Sequence, residues 1–140
     1  MLQQMLRSAA VVFFMAATFV YADGATTQEE LNERLFGAVR DRDAAAVERL
    51  LQRGADPDAE EGAWGGDADL WMRTPLIEAA RLGEARIVRI LLEHGADPQK
   101  CQPMSGFRPV NAALKSFEAG TAEIIQMLEE EGVDLSAPPP

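Results

Sequence analysis

Apolar side chains recur along this chain at helical spacing, in stretches that break repeatedly at glycine. Between Thr74 and Gly83, Leu76, Ala79 and Ala80 fall on one helical face. Thr74 stands where a cap is needed, and Pro75 takes the first helical position, where a missing N–H costs nothing. A second helix begins near Glu84. Its buried stripe reads Ile87, Val88, Leu91 and Leu92, and Gly95 supplies the left-handed residue that closes it. The unit is a helical hairpin.

The same plan occurs twice more. Upstream, Thr27 and Glu30 form a capping box, Leu31, Leu35 and Ala38 make one face, Asp43 opens the next helix, and Val47, Leu50 and Leu51 pack before Gly54. Downstream, Ala112, Ala113 and Phe117 are expected to face the core before Gly120. Thr121 is expected to cap the last helix, which buries Ile124, Ile125 and Leu128. Pro109 is three residues further from Gly132 than Pro75 is from Gly95, so the first helix of this unit is expected to be extended or irregular. Gly54-Ala55-Asp56-Pro57 recurs as Gly95-Ala96-Asp97-Pro98 and, in weaker form, as Gly132-Val133-Asp134-Leu135. Repetition on this scale predicts an all-α solenoid of about three helix-turn-helix repeats joined by long loops. It covers 31–135, in units at about 31–57, 73–98 and 107–135, with a lead-in at 23–30 and a Pro-rich tail at 136–140.

From Arg73-Thr74-Pro75-Leu76 through Ala79-Ala80 and Gly83, and on through Ile87-Val88, Leu91-Leu92 and Gly95-Ala96-Asp97-Pro98, the second unit resembles an ankyrin repeat. The flanking units depart from that pattern. The first has Arg34-Leu35 in place of Thr-Pro-Leu and Arg42 in place of the mid-repeat glycine, while the third has Arg108-Pro109-Val110. End repeats differ because each has one face against solvent. The resemblance implies a binding module for other macromolecules, using its loop tips and the exposed side of the first helices on a concave face, with no catalytic residues.

Residues 1–22 have another character. Arg7 is their only charge, and an apolar run extends from Ala9 to Val20. Spanning a bilayer takes about 20 apolar residues, whereas a secretory core takes roughly 7 to 15. Val20 and Ala22, at the third and first places before a cut ahead of Asp23, suit signal peptidase. A cleaved signal peptide and an exported mature chain, periplasmic or secreted, are therefore expected, with an uncleaved membrane anchor as the alternative. Abundant Arg and Ala point softly to a bacterial source.

Charge narrows the partner. In 140 residues, 23 acids stand against 13 bases, a net of −10, which argues against nucleic acid and for another protein with a basic surface. The single cysteine, Cys101, gives no internal disulfide. No metal-ligand cluster, nucleophile with its base or phosphate-cradling glycine loop is visible, so neither a cofactor nor an enzymatic activity is expected. A calcium reading of Asp67 and Asp69 lacks the twelve-position loop with its closing Glu. His94, the only histidine, lies at a helix C-terminus, where the dipole favours a cation.

The loop between the first two units carries the strongest site signal. Asp56, Asp58, Glu60, Glu61, Asp67 and Asp69 accompany Trp64 and Trp71 with no basic residue among them. Tryptophan is a favoured interface anchor, and peripheral acids steer a cationic partner. The plainer reading folds Trp71 onto the core and leaves the acids as a solvated fringe. The partner surface is expected to comprise Trp64, Asp67, Asp69, Trp71, Met72, Arg73, Ile77, Arg81, Leu82 and Phe107. An adaptor that holds or protects a partner in the cell envelope fits best. The alternative is an inhibitor or immunity-type protein that blocks a toxin or hydrolase.

Overall fold

A computed structural model describes residues 26–62, 73–102 and 106–136. Six helices follow one another: α1 (Gln28–Arg40), α2 (Ala44–Gln52), α3 (Pro75–Arg81), α4 (Ala85–Glu93), α5 (Pro109–Lys115) and α6 (Thr121–Glu130). They pair as three hairpins. The hairpins stack in chain order, with α1, α3 and α5 forming one row and α2, α4 and α6 a second. Among the described residues no helix is long and apolar enough to cross a membrane. The segment read at 1–22 and all of the 136–140 tail except Ser136 lie outside the described residues.

The helix ends follow local chemistry. Thr27 caps α1 in a reciprocal box with Glu30, Asp43 accepts from the Ala46 amide at the start of α2, and Thr74 accepts from the Ile77 amide ahead of Pro75. Gly83 and Gly95 have positive φ, as their closing roles require. Arg42 occupies the position of Gly83 in the first unit and takes the same left-handed backbone, φ 59°. A side chain there costs strain that glycine avoids.

The core runs unbroken through the stack. Leu35, Val39, Val47, Leu76, Ile87, Val88, Leu91, Ile124 and Leu128 are fully buried and belong to one cluster. Leu50, Leu92 and Ile125 pack against it only in part, while Ile90 and Met127 are buried more completely than their spacing suggested.

The third unit departs from the sequence reading in three ways. Phe117 is not in the core: it is 103 % exposed. Helix α5 is neither longer nor irregular, being seven residues like α3, and the additional residues lie in the connection Ser116–Gly120 and at the start of α6. Thr121 does not cap α6. Gly120 is its N-cap, and the Thr121 hydroxyl donates to the Ser116 carbonyl at 3.3 Å. Glu118 packs on Gly83 and Gly120 abuts the Gly83 carbonyl, which pins the connection carrying Phe117 to the second unit.

Candidate protein-binding surface

The connections α2–α3 and α4–α5, here called the first and second fingers, have acids in their described bases. Glu61 and Arg73 form an antiparallel bridge through two amide-to-carbonyl bonds of 3.0 and 2.9 Å, so the first loop leaves and returns at one point. Asp56 accepts from the Asp58 amide, and Asp58 in turn accepts from the Asp97 amide at 2.9 Å, tying the first finger to the second. Lys100 reinforces this tie by donating to the Asp58 carbonyl and pairing with Glu60 at 2.9 Å. Burial alone would lower the Lys100 pKa, but Glu60, Asp58 and Asp56 outweigh it and hold the pKa above its ordinary value. These acids are thus structural members of the finger bases. Asp56 and Glu60 are exposed, as a solvated fringe would be, yet each also holds a partner in the loop base.

Beside the fingers, α3 carries a buried carboxylate. Glu78 is 2 % exposed and is held by Arg81 at 2.6 Å and Arg73 at 3.4 Å. Burial pushes its pKa up, yet the Arg81 hydrogen bonds and the charges of Arg81, Arg73 and Arg40 prevail, leaving it below the ordinary carboxylate range. Its bond also raises the Arg81 pKa. Arg40, at the end of α1, pairs with Glu61 and lies 5.9 Å over the Phe36 ring. Arg40, Arg73 and Arg81 therefore display half-exposed guanidiniums held in place by neighbouring carboxylates. Next to them is an open depression of about 510 Å³, lined by Gln28, Glu29, Asn32, Glu33, Phe36, Glu60, Glu61 and Gly62.

The expected partner residues divide accordingly. Arg73 and Arg81 stand on this face, and Leu82 lies at its edge, half-buried against the core. Phe107 is half-buried, packs on the core and carries Lys115 5.0 Å over its ring, at the base of the second finger. Ile77 is a correction. It is 2 % exposed, because its helix is the middle one of its row and is packed on both sides, so it offers a partner almost nothing. Trp64, Asp67, Asp69, Trp71 and Met72 lie outside the described residues. Glu78 and Arg40 were missed by the sequence reading. The signal available for Glu78 was an acid amid the apolar residues of a short helix, with Arg73 and Arg81 on either side. His94 is exposed at the end of α4, and Cys101 is half-buried in the second finger.

A family model for ankyrin repeats in three copies matches residues 35–138, a range that takes in the second half of α1 and all of α2 to α6. The chain belongs to the ankyrin-repeat family. As ankyrin repeats, the three units form a protein–protein interaction module, a fold that is typically non-enzymatic. The chain is 42 % identical over 74 residues to the 2-5A-dependent ribonuclease of Mus musculus, covering 53 % of this chain and 9 % of that protein. It is 32 % identical over 89 residues to the cyclin-dependent kinase 4 inhibitor B of Rattus norvegicus, covering 64 % of this chain and 59 % of the relative. The match thus spans about a tenth of the first relative and somewhat over half of the second.

Proposed function

We propose that this ankyrin-repeat protein is an exported adaptor that holds a partner protein in the cell envelope, gripping it with the two fingers and the row α1–α3–α5. The surface formed by Arg40, Glu61, Arg73 and Arg81 carries this reading: its charged side chains are fixed by neighbouring partners and still stand partly exposed to solvent. Such fixed groups lose little side-chain freedom on binding. The neighbouring depression holds Glu29 and Glu33, which make no ion pair among the described residues, so a partner with a basic surface is favoured. Export rests on the apolar run from Ala9 to Val20 and the small residues before Asp23.

A second reading, an inhibitor or immunity-type protein, draws on the likeness to a small ankyrin protein that is named as a kinase inhibitor. One experiment addresses both. The tagged chain is used as bait in envelope extract beside a Glu29→Lys, Glu33→Lys variant and a Trp64→Ala, Trp71→Ala variant, each with helical content checked by circular dichroism. A partner kept by the parent and lost by the charge-reversed variant supports the face described here. Full retention by both variants overturns it. Assay of the captured protein's activity, with and without this chain, separates adaptor from inhibitor.

A further inference from the structure

The open ends of the stack differ in shape and in charge. Repeat register brings Ala46 and Leu50 of the first unit onto Ile87 and Leu91 of the second and Ile124 and Leu128 of the third. The latter four are 0 % exposed, whereas Ala46 and Leu50 are only partly covered. These positions therefore face backward along the stack, and only the first unit leaves them open. The forward-facing positions behave in the opposite way. Val39 and Ala80 are fully buried, and their counterpart Leu114 is 53 % exposed; Val47 and Val88 are fully buried, and Ile125 is not.

The backward end is a shallow depression of about 480 Å³ lined by Ala38, Ala46 and Leu50 and by three arginines, Arg34, Arg49 and Arg53, against two acids, Asp41 and Asp43. None of these arginines makes an ion pair among the described residues. The forward end presents Leu114 and Ile125 with Glu129 beside them, and Phe117 projects from the pinned connection nearby. Arginines outnumber acids at one apolar end, and Glu129 stands at the other.

We propose that copies of this chain associate head to tail, the forward end of one seated on the backward end of the next. Continuing the stack by one repeat step sets Leu114 against Ala38, and sets Ile125 and Glu129 against Ala46 and Leu50 with Arg49 and Arg53 alongside. Opposite charges then meet around an apolar centre. A symmetric forward-to-forward contact would instead bring glutamates together, against a net charge of −10. A contact between unlike ends does not close on itself, so growth beyond a pair is expected.

Sedimentation of the full chain across a wide concentration range tests this, beside a Leu114→Glu variant that blocks the forward end and an Arg49→Glu, Arg53→Glu variant that blocks the backward end. The parent is expected to grow past dimer with concentration and to shrink in salt of about 1 M, where the screening length falls to about 3 Å. Each variant alone is expected to be monomeric. Their equimolar mixture is expected to form dimers that grow no further, because one blocked copy still offers the end the other lacks. A parent that stays monomeric overturns the proposal and leaves both ends as solubilising caps. So does association that survives in either variant, which would place the contact elsewhere or make it symmetric.

Discussion

The carbonyl oxygen of Gly83 occupies the space where a Cβ on Gly120 would stand, so the second and third hairpins meet backbone to backbone. Gly120 has an ordinary helical backbone and is required for clearance rather than for its φ. Gly54, by contrast, has φ +98° and open space around it. Gly54→Ala is expected to cost about 1 kcal/mol, the usual penalty for a side chain in the left-handed region. Gly120→Ala must displace backbone and is expected to cost about 3 kcal/mol, at the upper end of overpacking penalties. Urea unfolding of the two variants checks the order.

Equivalent leucines should differ according to their neighbours. Leu91 is fully buried between the first and second units, while Leu50, at the same register position, has no unit behind it among the described residues and is only partly covered. Leu91→Ala is expected to cost about 3–4 kcal/mol and Leu50→Ala about 1 kcal/mol, because only the first leaves an enclosed cavity. Thermal unfolding of both measures the difference.

The pair Arg81–Glu78 is partly shielded, whereas Arg89–Glu123 is exposed on both sides. Arg81→Ala leaves a buried carboxylate short of its main donor and is expected to cost about 2 kcal/mol. Arg89→Ala is expected to cost less than about 1 kcal/mol. Denaturant midpoints at moderate salt distinguish them.

Acid should expose the same carboxylate. The folded pKa of Glu78 is depressed, so its contribution is complete above the unfolded value of about 4.3 and is lost as pH falls through the folded value. Glu78→Gln is therefore expected to flatten the stability profile below pH of about 4, besides lowering stability at neutral pH. Unfolding curves collected from neutral pH into acid test the slope.

The two threonines test which helix starts are capped. Thr27→Ala removes a side chain that accepts from the Glu30 amide and is expected to cost about 1 kcal/mol. Thr121→Ala is expected to cost no more than about half of that, since Thr121 is already inside α6 and Gly120 caps it. Far-UV melting curves separate the two.

Much of the fold was legible in the sequence because hairpin architecture is written in short-range chemistry. The caps Thr27, Asp43 and Thr74, the closing glycines 54, 83 and 95, and the paired apolar residues Ile87-Val88 and Leu91-Leu92 each act within a few positions of themselves, and they fixed the number, order and type of helices. Exposure on the candidate face was read only in part. Arg73 and Arg81 are half-exposed as expected, but Ile77 was assigned to solvent, because helical period alone does not say that α3 is flanked on both sides.

What only the tertiary structure decided rests on contacts between units. Glu78 is charged and buried because Arg73 and Arg81 close over it, and Asp58 is a structural acid because the Asp97 amide lies 39 positions further along the chain. Phe117 stands exposed in a connection whose Glu118 and Gly120 are held on Gly83 of the preceding hairpin. Local sequence specifies each hairpin. Which of its faces meets a neighbour, and which is left for a partner, depends on where the repeats begin and stop in space.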